Sequence, residues 1–454
     1  MRAFCSSLHG ASRAPLLGVG VGFALWAATA VASPELDFGF GARSQALAGA
    51  GVAIADDPSA VFQNPSGLAR AKAVAVSIGY AVVSYGLSDN GVAAPLPTVN
   101  ALEAGLVVPG AIRGMPVAFG LMLALPDGKL SRLREAEATV PNWPLDDAGP
   151  RLVDVGTGFA ARPLPELVLG AGVGFVASLR GDFGVRGNVV PADASGAEYQ
   201  SNLRHAVDAD LTASRFPLLG VGYLPTNELA FGLAYRGAAI VEHRIQAKLE
   251  GTLDIGTETV PVHYAFQSRS TVAYLPSQLA FGMSYRFLPA WLATLELDWQ
   301  RYSGFRSPYT ETQSHAALAP ELGINVPDTL PIASPPAHFR DRVVPRLALE
   351  PELALGRSAK LTLRAGYSFQ ASPVPTSQAR TRFLDLDRHL VSAGAGARWQ
   401  QPSALFEALE LDLSAADAIG VARAASTTAG PNADHARGHV LLLGASLRLV
   451  FVGG

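Results

Sequence analysis

Apolar residues alternate with small or polar ones along most of this chain. Between 360 and 369 the odd positions are leucine, alanine or aromatic, whereas the even positions are lysine, threonine, arginine, glycine and serine. The same period of two recurs in 279–287, 291–299 and 441–451. Because successive side chains of a β-strand point to opposite faces, this pattern predicts strands with one apolar face.

Fourteen segments of the chain follow this alternation and are predicted to be strands. The links between them are alternately short, as in 163–165, and long, as in 302–342. The predicted strands are 74–86, 101–110, 115–125, 151–162, 166–179, 205–223, 228–243, 278–287, 291–301, 343–355, 360–370, 388–399, 404–416 and 438–451.

The alternation of loop lengths predicts an up-and-down antiparallel meander with all of its long loops at one end. This arrangement is typical of outer-membrane β-barrels, whereas a soluble two-sheet sandwich gives loop lengths no reason to alternate. A sheet in lipid must also close on itself, because every backbone polar group has to be paired within the protein. The predicted fold is therefore all-β, a closed antiparallel transmembrane β-barrel of about 14 strands.

Closure would turn the apolar strand faces outward to lipid and the small or polar faces inward. Glycines at every second position, such as Gly170, Gly172 and Gly174, suit an inward face. Aromatic residues near the predicted strand ends would form girdles at the membrane interfaces. These residues are Tyr235, Tyr285, Phe287, Trp299, Tyr302, Tyr367 and Phe369.

The composition agrees with a protein whose surface is largely removed from water. Charged residues make up 16% of the chain and hydrophobic residues 49%, and the mean hydropathy is +0.23. Soluble proteins usually carry roughly 25% charged residues. The formal charge of −3 lacks the basic excess of nucleic-acid-binding proteins, so no nucleic-acid partner is expected.

Residues 1–32 have the pattern of a secretory signal peptide that is cleaved on export. Arg2 and Arg13 precede an apolar run that is too short for an anchor, and an A-x-A sequence occupies 30–32. Cys5 is the only cysteine, so cleavage would leave a chain without disulfides or thiolate sites. We expect the mature chain in the outer membrane of a Gram-negative bacterium.

Residues 33–73 show no alternation and are rich in small residues. The sequence Asn-Pro-Ser-Gly at 64–67 is a turn signal, because proline fixes φ and glycine tolerates positive φ. A fourteen-stranded barrel leaves an open lumen unless something fills it. We predict that 33–73, here called the hatch, folds back inside the barrel and that 74–454 forms the wall and its loops.

The stretch Gly41–Ala69 closely resembles the N-terminal hatch of the FadL/TodX (OMPP1) outer-membrane transporters. The resemblance is carried by Asp-Asp-Pro-Ser-Ala at 56–60 and by Asn-Pro-Ser-Gly-Leu-Ala at 64–69, and it extends over most of 41–451. Further segments that match the family in order and spacing are Leu275–Gly282, Tyr285–Phe287, Leu363–Tyr367, Ser372–Val374, Asp387–His389 and Ser392–Gly394.

The resemblance implies a fourteen-stranded barrel whose hatch gates the inward movement of hydrophobic molecules. Long-chain fatty acids are the family's best-known cargo, and one branch carries aromatic hydrocarbons. In the family the ligand is captured among the extracellular loops, passes the hatch and leaves sideways through a gap in the wall. A protein shuttle or structural barrel of a secretion system remains an alternative, because such relatives share the hatch motif. The expected partners are hydrophobic small molecules and outer-membrane lipid.

Candidate gate residues lie in the hatch, where a purely structural turn with solvated carboxylates is the alternative interpretation. These candidates are Asp56, Asp57, Asn64, Pro65 and Gly67. Candidates for apolar ligand contact lie in the hatch and in the loop 126–150, which we expect to collect ligand together with the loop 302–342. They are Val61, Phe62, Leu130 and Trp143.

Two arginines at inward-facing strand positions are candidates for receiving the carboxylate of a fatty acid. They are Arg364 and Arg398. Barrel lumens are generally polar, so structural ion pairs are the alternative role for both side chains.

An enzyme is the third class of protein to be weighed. His389 and Ser392 lie three apart on one predicted strand and so face opposite sides, which is poor geometry for a nucleophile and its base. Asp385 and Asp387 could bind calcium, although a solvated loop is the simpler interpretation. We expect no enzymatic activity, no cofactor and no metal site. We also expect a monomer, because a closed sheet leaves no edge to pair.

Overall fold

The computed structural model describes residues 35–127, 140–148, 153–189, 202–255, 258–306, 308, 311–318, 336–378, 381–427 and 433–452. The predicted signal peptide and Leu130 lie outside these ranges. Within them, no helix is long and apolar enough to cross a membrane.

Fourteen strands of the described chain run up and down in antiparallel order and close into a barrel. The last strand pairs with the first, from Val450 opposite Ala75 to Val440 opposite Tyr85. The predicted fold class is therefore confirmed. The strands are Ala75–Tyr85 (β1), Val99–Ile112 (β2), Met115–Pro126 (β3), Asp154–Leu164 (β4), Leu167–Val189 (β5), Asn202–Tyr223 (β6), Leu229–Arg236 (β7), Ser277–Leu288 (β8), Trp291–Arg301 (β9), Arg342–Ala354 (β10), Ala359–Gln370 (β11), Asp387–Gln400 (β12), Phe406–Val421 (β13) and His439–Phe451 (β14).

Side chains of the wall alternate between an apolar outer face and a polar or small inner face. On β13, Leu411 and Leu413 are 40% and 52% exposed, whereas Glu410, Asp412 and Ser414 are buried. In a membrane the exposed leucines face acyl chains, while the polar groups find partners in the lumen. Period two in the sequence therefore corresponds to lipid on one side of the wall and protein on the other.

Most of the aromatic residues predicted for the girdles are exposed on the outer surface, but Tyr302 is not. β9 ends at Arg301, and the 3₁₀ turn Tyr302–Gly304 rotates the tyrosine ring inward. The ring is buried beneath Arg342, whose Cζ atom lies 4.9 Å from the ring centroid. The girdle prediction for Tyr302 is wrong because the strand stops one residue before it.

The predicted long loop 244–277 is also wrong, because most of it is β-structure. Ala239–Ile255 and Glu258–Leu275 form an antiparallel hairpin that extends the barrel at its long-loop end. Glu311–Leu318 pairs with the second strand of this hairpin. The period of two in fact continues through the hairpin, with apolar residues mostly at the odd positions of 239–255 and at the even positions of 258–274, so this signal was present in the sequence and was overlooked.

The hatch runs through the lumen from the long-loop end to the short-turn end of the barrel. Phe38 packs in one cluster with Val83 and Val440, which lie at the long-loop ends of β1 and β14. Asp57, in contrast, lies 3.9 Å from Arg448 near the opposite end of β14. The helical segments of the hatch are Glu35–Phe38 (α1), Gly41–Ala46 (α2), Ala60–Gln63 (α3) and a 3₁₀ helix, Pro65–Arg70.

Candidate functional site

The hatch turn at 64–67 lies directly on the glycine-rich inner face of β5 and β6. A Cβ atom at Gly170 would collide with the backbone of Pro65 and Ser66, and one at Gly220 would collide with Oδ1 of Asn64. Glycine is the residue that permits such close approach of two backbones. Of the inward glycines predicted from the sequence, Gly170 thus lies against the hatch, whereas a Cβ atom at Gly172 or Gly174 would meet Thr157 or Phe216 of the wall.

Asn64 joins the hatch to itself and to the wall. Its Oδ1 atom accepts hydrogen bonds from Ser66 N at 3.2 Å and Ser66 Oγ at 2.7 Å. Its Nδ2 atom donates to the carbonyl oxygens of Val52 at 2.7 Å and of Val221, on β6, at 3.2 Å. Asn64 is only 2% exposed, so all of these bonds are protected from water.

Gly67 is packed as tightly as Asn64, because a Cβ atom there would collide with the carbonyl oxygen of Ala55. Pro65 opens the 3₁₀ helix, where its fixed φ and missing N–H cause no loss. The turn that contains Asn64, Pro65 and Gly67 is therefore a closely fitted joint in this structure. Movement of this turn as a gate stays a prediction.

One side of the hatch is apolar. Val61 is fully buried against Gly120 and Gly156, and the ring of Phe62 stacks on Phe40 at 4.2 Å between centroids. The same buried cluster continues beyond the hatch along β5 and β6 and into the adjoining hairpin 239–275. Its members there include Val176, Phe216, Leu218, Ala239, Val241, Ala273 and Leu275.

The opposite side of the hatch is charged and borders a cavity of about 210 Å³. Arg43 binds Asp56 at 2.7 Å and Glu350, on β10, at 3.2 Å. Asp57 lies 3.8 Å from Arg43 and 3.9 Å from Arg448. The two aspartates predicted as gate residues thus contact arginines, one in the hatch and one in the wall.

Although burial opposes it, the charge of Arg43 holds the pKa of Asp56 well below its ordinary range. The pair therefore stabilises the folded hatch fully above the ordinary aspartate pKa of about 3.9, and this stabilisation is lost as the pH falls towards the folded pKa. We expect Asp56→Asn to lower the melting temperature by a constant amount between pH 5 and 8, and by less below about pH 4.

Thermal melts of purified protein in detergent at several pH values measure this difference. Glu228→Gln, in an exposed short turn, is the matched control and should leave the melting temperature unchanged at every pH. A difference between wild type and Asp56→Asn that varies between pH 5 and 8 would contradict the ion-pair account.

Arg364 and Arg398 already have carboxylate partners within the wall. Arg364 binds Glu350 at 3.0 Å and Asp412 at 2.5 Å, while Arg398 binds Glu410 at 2.8 Å. Both arginines border the charged cavity, as their predicted inward orientation requires. Their role as receivers of a ligand carboxylate stays a prediction, and the partners in this structure are structural.

The long-loop end of the lumen is covered by a cap that includes Trp143. This side chain is 5% exposed and belongs to the cluster of Phe38, at the beginning of the hatch. Beside it, Asp146 accepts hydrogen bonds from Arg388 at 2.9 and 2.6 Å, and Arg388 also binds Asp385 at 3.0 Å. Trp143 is therefore a buried part of the cap, its contact with ligand stays a prediction, and Leu130 lies outside the described residues.

A second part of the cap is an aromatic cluster that the sequence reasoning missed. The rings of Phe305 and Phe339 stack at 4.1 Å, and Phe383 meets each of them edge to face. Tyr274 meets Phe305 edge to face at 5.7 Å. These residues come from three separate connections, so no local pattern relates them. Aromatic residues within predicted loops were the only available signal.

The pairing between β6 and β7 stops halfway along the wall. It covers six residue pairs and ends at Leu218 opposite Arg236. On its other side β6 continues to pair with β5 as far as Asn202. The next residue of β6 is Pro217, which has no N–H to donate to a ladder, and Gly237 follows Arg236. We call this interrupted boundary the seam.

Among the described residues, two hydrogen bonds cross the seam where the ladder is missing. Gly237 N donates to the Pro217 carbonyl at 2.9 Å, and Ser214 Oγ donates to the Ile240 carbonyl at 2.8 Å. Phe216 is 2% exposed and lies beside the seam within the apolar cluster that reaches the hatch. The ladder of the wall is thus interrupted at a place where its inner surface is apolar.

The side chains weighed for catalysis do not meet. His389 Nδ1 lies 2.8 Å from the hydroxyl of Tyr367, whereas Ser392 Oγ donates to the carbonyl of Ala46 in the hatch at 2.9 Å. They face opposite sides of β12, as predicted. No group of three or more metal-ligating side chains suited to an ion occurs among the described residues.

Comparison with solved structures shows a shared fold. A Pseudomonas aeruginosa FadL homologue is 16% identical at a TM-score of 0.54, covering 91% of this chain and 98% of its own. The Ralstonia pickettii toluene transporter TbuX is 17% identical at 0.53, covering 92% and 99%. The P. putida toluene transporter TodX is 13% identical at 0.54, covering 92% and 100%. No curated protein sequence matches the chain.

The sequence itself is matched by a family model over residues 151–448, which is well over half of the chain. The model describes the outer membrane protein transport proteins, OMPP1/FadL/TodX. A closed fourteen-stranded wall with a chain segment packed in its lumen agrees with that match. This chain is therefore a member of the OMPP1/FadL/TodX family of outer membrane transport proteins.

Proposed function

We propose that the protein takes up hydrophobic molecules, long-chain fatty acids first, and passes them sideways through the seam into the bilayer. The observation that supports this proposal is the continuous apolar cluster from Val61 and Phe62 in the hatch to Phe216 and Val241 at the seam. A molecule that follows this surface meets apolar groups until it reaches lipid.

Transport straight along the lumen is the less favourable route for such a molecule. The cavity of about 210 Å³ on the other side of the hatch is bordered by Arg43, Arg364, Glu350 and their partners. Moving an acyl chain out of water stabilises it by roughly 0.8 kcal/mol for each CH₂. A cavity lined by charged side chains does not provide this stabilisation, because it offers the chain little apolar surface. The seam leads to hydrocarbon, where that gain is kept.

Another interruption of the wall lies between β10 and β11. Their ladder has no pair at Glu350 and Pro351. Glu350 is held there by Arg43 and Arg364, so this interruption opens on the charged cavity. The chemistry of its surroundings therefore favours the seam between β6 and β7 as the exit.

Ligand passage requires the cap and part of the hatch to move. A second cavity, beside Phe40 and Phe62, has a volume of about 60 Å³, whereas pockets for drug-sized ligands usually measure roughly 300–1,000 Å³. The hatch segment 41–52 is held by polar contacts, for example from the N–H groups of Gly51 and Val52 to Glu296 at 2.9 Å each. Water can replace such contacts, whereas the joint at 64–67 is held both by close packing and by the hydrogen bonds of Asn64.

Aromatic hydrocarbons are the second candidate cargo. Two of the structures similar in fold are toluene transporters, and stacked rings such as Phe40 and Phe62 offer an aromatic surface. An apolar pocket discriminates weakly between cargoes that differ by a methylene, so the chain length of a fatty acid is left open.

Uptake measurements test the proposal. Cells that lack the gene should take up labelled oleate or labelled toluene several-fold more slowly, and the wild-type gene should restore the rate. Equal uptake of both compounds in the deletion strain would contradict the transport proposal. A defect in protein secretion together with normal uptake would favour the shuttle alternative.

A further inference from the structure

The outer surface of the wall changes its chemical character where β9 ends. On its lipid-facing side β9 presents Leu295, Leu297 and Trp299 in turn, all of them exposed, and then Arg301, which is exposed as well. Apolar side chains followed by an aromatic ring and then by a cation are typical of the boundary between hydrocarbon and head groups. Arg301 therefore lies at the level of the lipid head groups, at the long-loop end of the barrel.

A second exposed arginine, Arg340, lies close to Arg301. The ladder between β9 and β10 runs up to Gln300, the residue before Arg301, so the two chains leave the wall side by side. Just beyond the ladder, Asp341 accepts a hydrogen bond from the backbone N–H of Ser303 at 2.8 Å. This bond fixes the end of β9 against the beginning of β10 and keeps the two arginines on one patch of surface.

Aromatic packing in the cap brings a third arginine to the same patch. The rings of Phe305 and Phe339 stack at 4.1 Å between their centroids, so the residues that follow them, Arg306 and Arg340, lie on neighbouring chains. Arg306 is more than half exposed and binds Glu242 of the hairpin 239–275 at 3.1 Å. The rings thus face the cap while the arginines beside them face solvent.

The fourth arginine of this surface lies beside the seam. Arg215 is exposed on the lipid-facing side of β6, two residues before Pro217. The two strands of the hairpin 239–275 separate it from the end of β9, where Tyr274 donates a hydrogen bond to the carbonyl of Arg301 at 3.0 Å. Neighbouring strands are about 4.8 Å apart, so three such steps place Arg215 about 14 Å from Arg301.

These side chains form a cationic surface that is accessible from outside the barrel. We call it the arginine patch, and its members are Arg215, Arg301, Arg306 and Arg340. Within the part of the chain that the structure describes, the guanidinium groups of Arg215, Arg301 and Arg340 form no ion pair or hydrogen bond. The carboxylates nearby are Glu242 and Asp341, and both already have the partners named above. The patch therefore has an excess of positive charge.

Phosphate groups of lipids match the arginine patch in charge, geometry and position. A guanidinium group is planar, stays charged at physiological pH and binds phosphate oxygens through paired, charge-assisted hydrogen bonds. Lipid phosphates are held at the level of the head groups, where Arg301 lies next to the exposed ring of Trp299. A lipid can therefore place its phosphate on the arginines and its acyl chains on the apolar wall at the same time.

We propose that the arginine patch binds the phosphate groups of a lipid in the outer leaflet of the membrane. Arg301 and Arg340 hold one phosphate, and Arg215, about 14 Å away, is placed to bind a second one on the same head group. A glycolipid with two phosphates is the class of lipid that fits this spacing. The inference is independent of the cargo, and it adds an ordered lipid at the outer edge of the seam.

Synthetic lipid A carrying two, one or no phosphate groups tests the inference on the purified, full-length protein in detergent. We expect the affinity to fall about tenfold with each phosphate that is removed, because each one loses its charge-assisted hydrogen bonds. Native mass spectrometry measures the bound fraction of each lipid. Equal binding of the lipid without phosphate would overturn the inference. Displacement of the lipid by an equal concentration of inorganic phosphate would also overturn it, because the site would then be one for the free anion.

Two double variants locate the site. Arg301→Gln together with Arg340→Gln should lower the affinity for the lipid with two phosphates about tenfold, and neither change removes an ion pair of the described residues. Arg113→Gln together with Arg357→Gln removes two exposed arginines from short turns at the other end of the barrel and should bind as the wild type does. Wild-type affinity in the first variant, or an equal loss in both, would overturn the location.

Discussion

Replacing Gly170 or Gly220 with valine is expected to push the hatch turn off the wall and to open a water-filled path through the barrel. Side-chain atoms at these positions would occupy the space of Pro65, Ser66 and Asn64. The turn cannot move without losing the hydrogen bonds that the Asn64 side chain donates to the carbonyls of Val52 and of β6. Overpacking of this kind typically costs about 1–3 kcal/mol, and this cost destabilises the closed position of the hatch relative to an open one.

Single-channel conductance of the purified variants in planar bilayers measures the opening. Wild-type protein should stay closed, and both valine variants should show long-lived conducting states. Gly110→Val is the matched control, because a Cβ atom there meets only Val117, at 3.9 Å, and lies away from the hatch. Folded valine variants as closed as the wild type would show that the joint does not hold the hatch in place.

Closing the seam with Pro217→Val and Gly237→Val together is expected to slow uptake about tenfold without weakening ligand binding. Valine at 217 restores an N–H donor, and it removes the Cδ atom that would lie 2.5 Å from a Cβ at position 237. One or two added ladder bonds, at about 1 kcal/mol each, must then be broken for each passage.

The seam prediction is measured as oleate uptake by cells and oleate binding by the purified double variant. Pro345→Val provides the control. Pro345 lies in β10 opposite Leu297 of β9, and the ladder between these two strands continues at the residues before and after it. That variant should take up oleate at the wild-type rate. Wild-type uptake by the double variant would place the exit elsewhere.

The wall of this protein could be predicted from its sequence because the physical cause of the pattern is local. Each strand has lipid on one side and protein on the other, so Leu411 and Leu413 had to alternate with polar residues whatever their neighbours were. The hairpin 239–275 keeps the same period of two, with charged residues on its polar face. Its strands could therefore also have been predicted from the sequence.

The contacts of the hatch could not be predicted, although the hatch itself could. Small residues and a turn at 64–67 indicate a segment that packs in a confined space. The bond from Asn64 to the carbonyl of Val221, however, joins residues 157 positions apart. Such contacts depend on where the chain crosses the lumen, and nothing near Asn64 in the sequence encodes it.

The lumen charges show the same limit. The inward orientation of Arg364 followed from alternation, but its pairing with Glu350 and Asp412 depends on the register of β10 to β13. Alternation fixes the face of a residue, and the register fixes its partner.

Photo-crosslinking of cargo during uptake tests the central claim most directly. An oleyl alcohol with a diazirine near the end of its chain, supplied to cells and irradiated, should label peptides from 214–241 at the seam. Label confined to peptides from 350–364, beside the charged cavity, would mean that the cargo travels along the lumen and would contradict the sideways route.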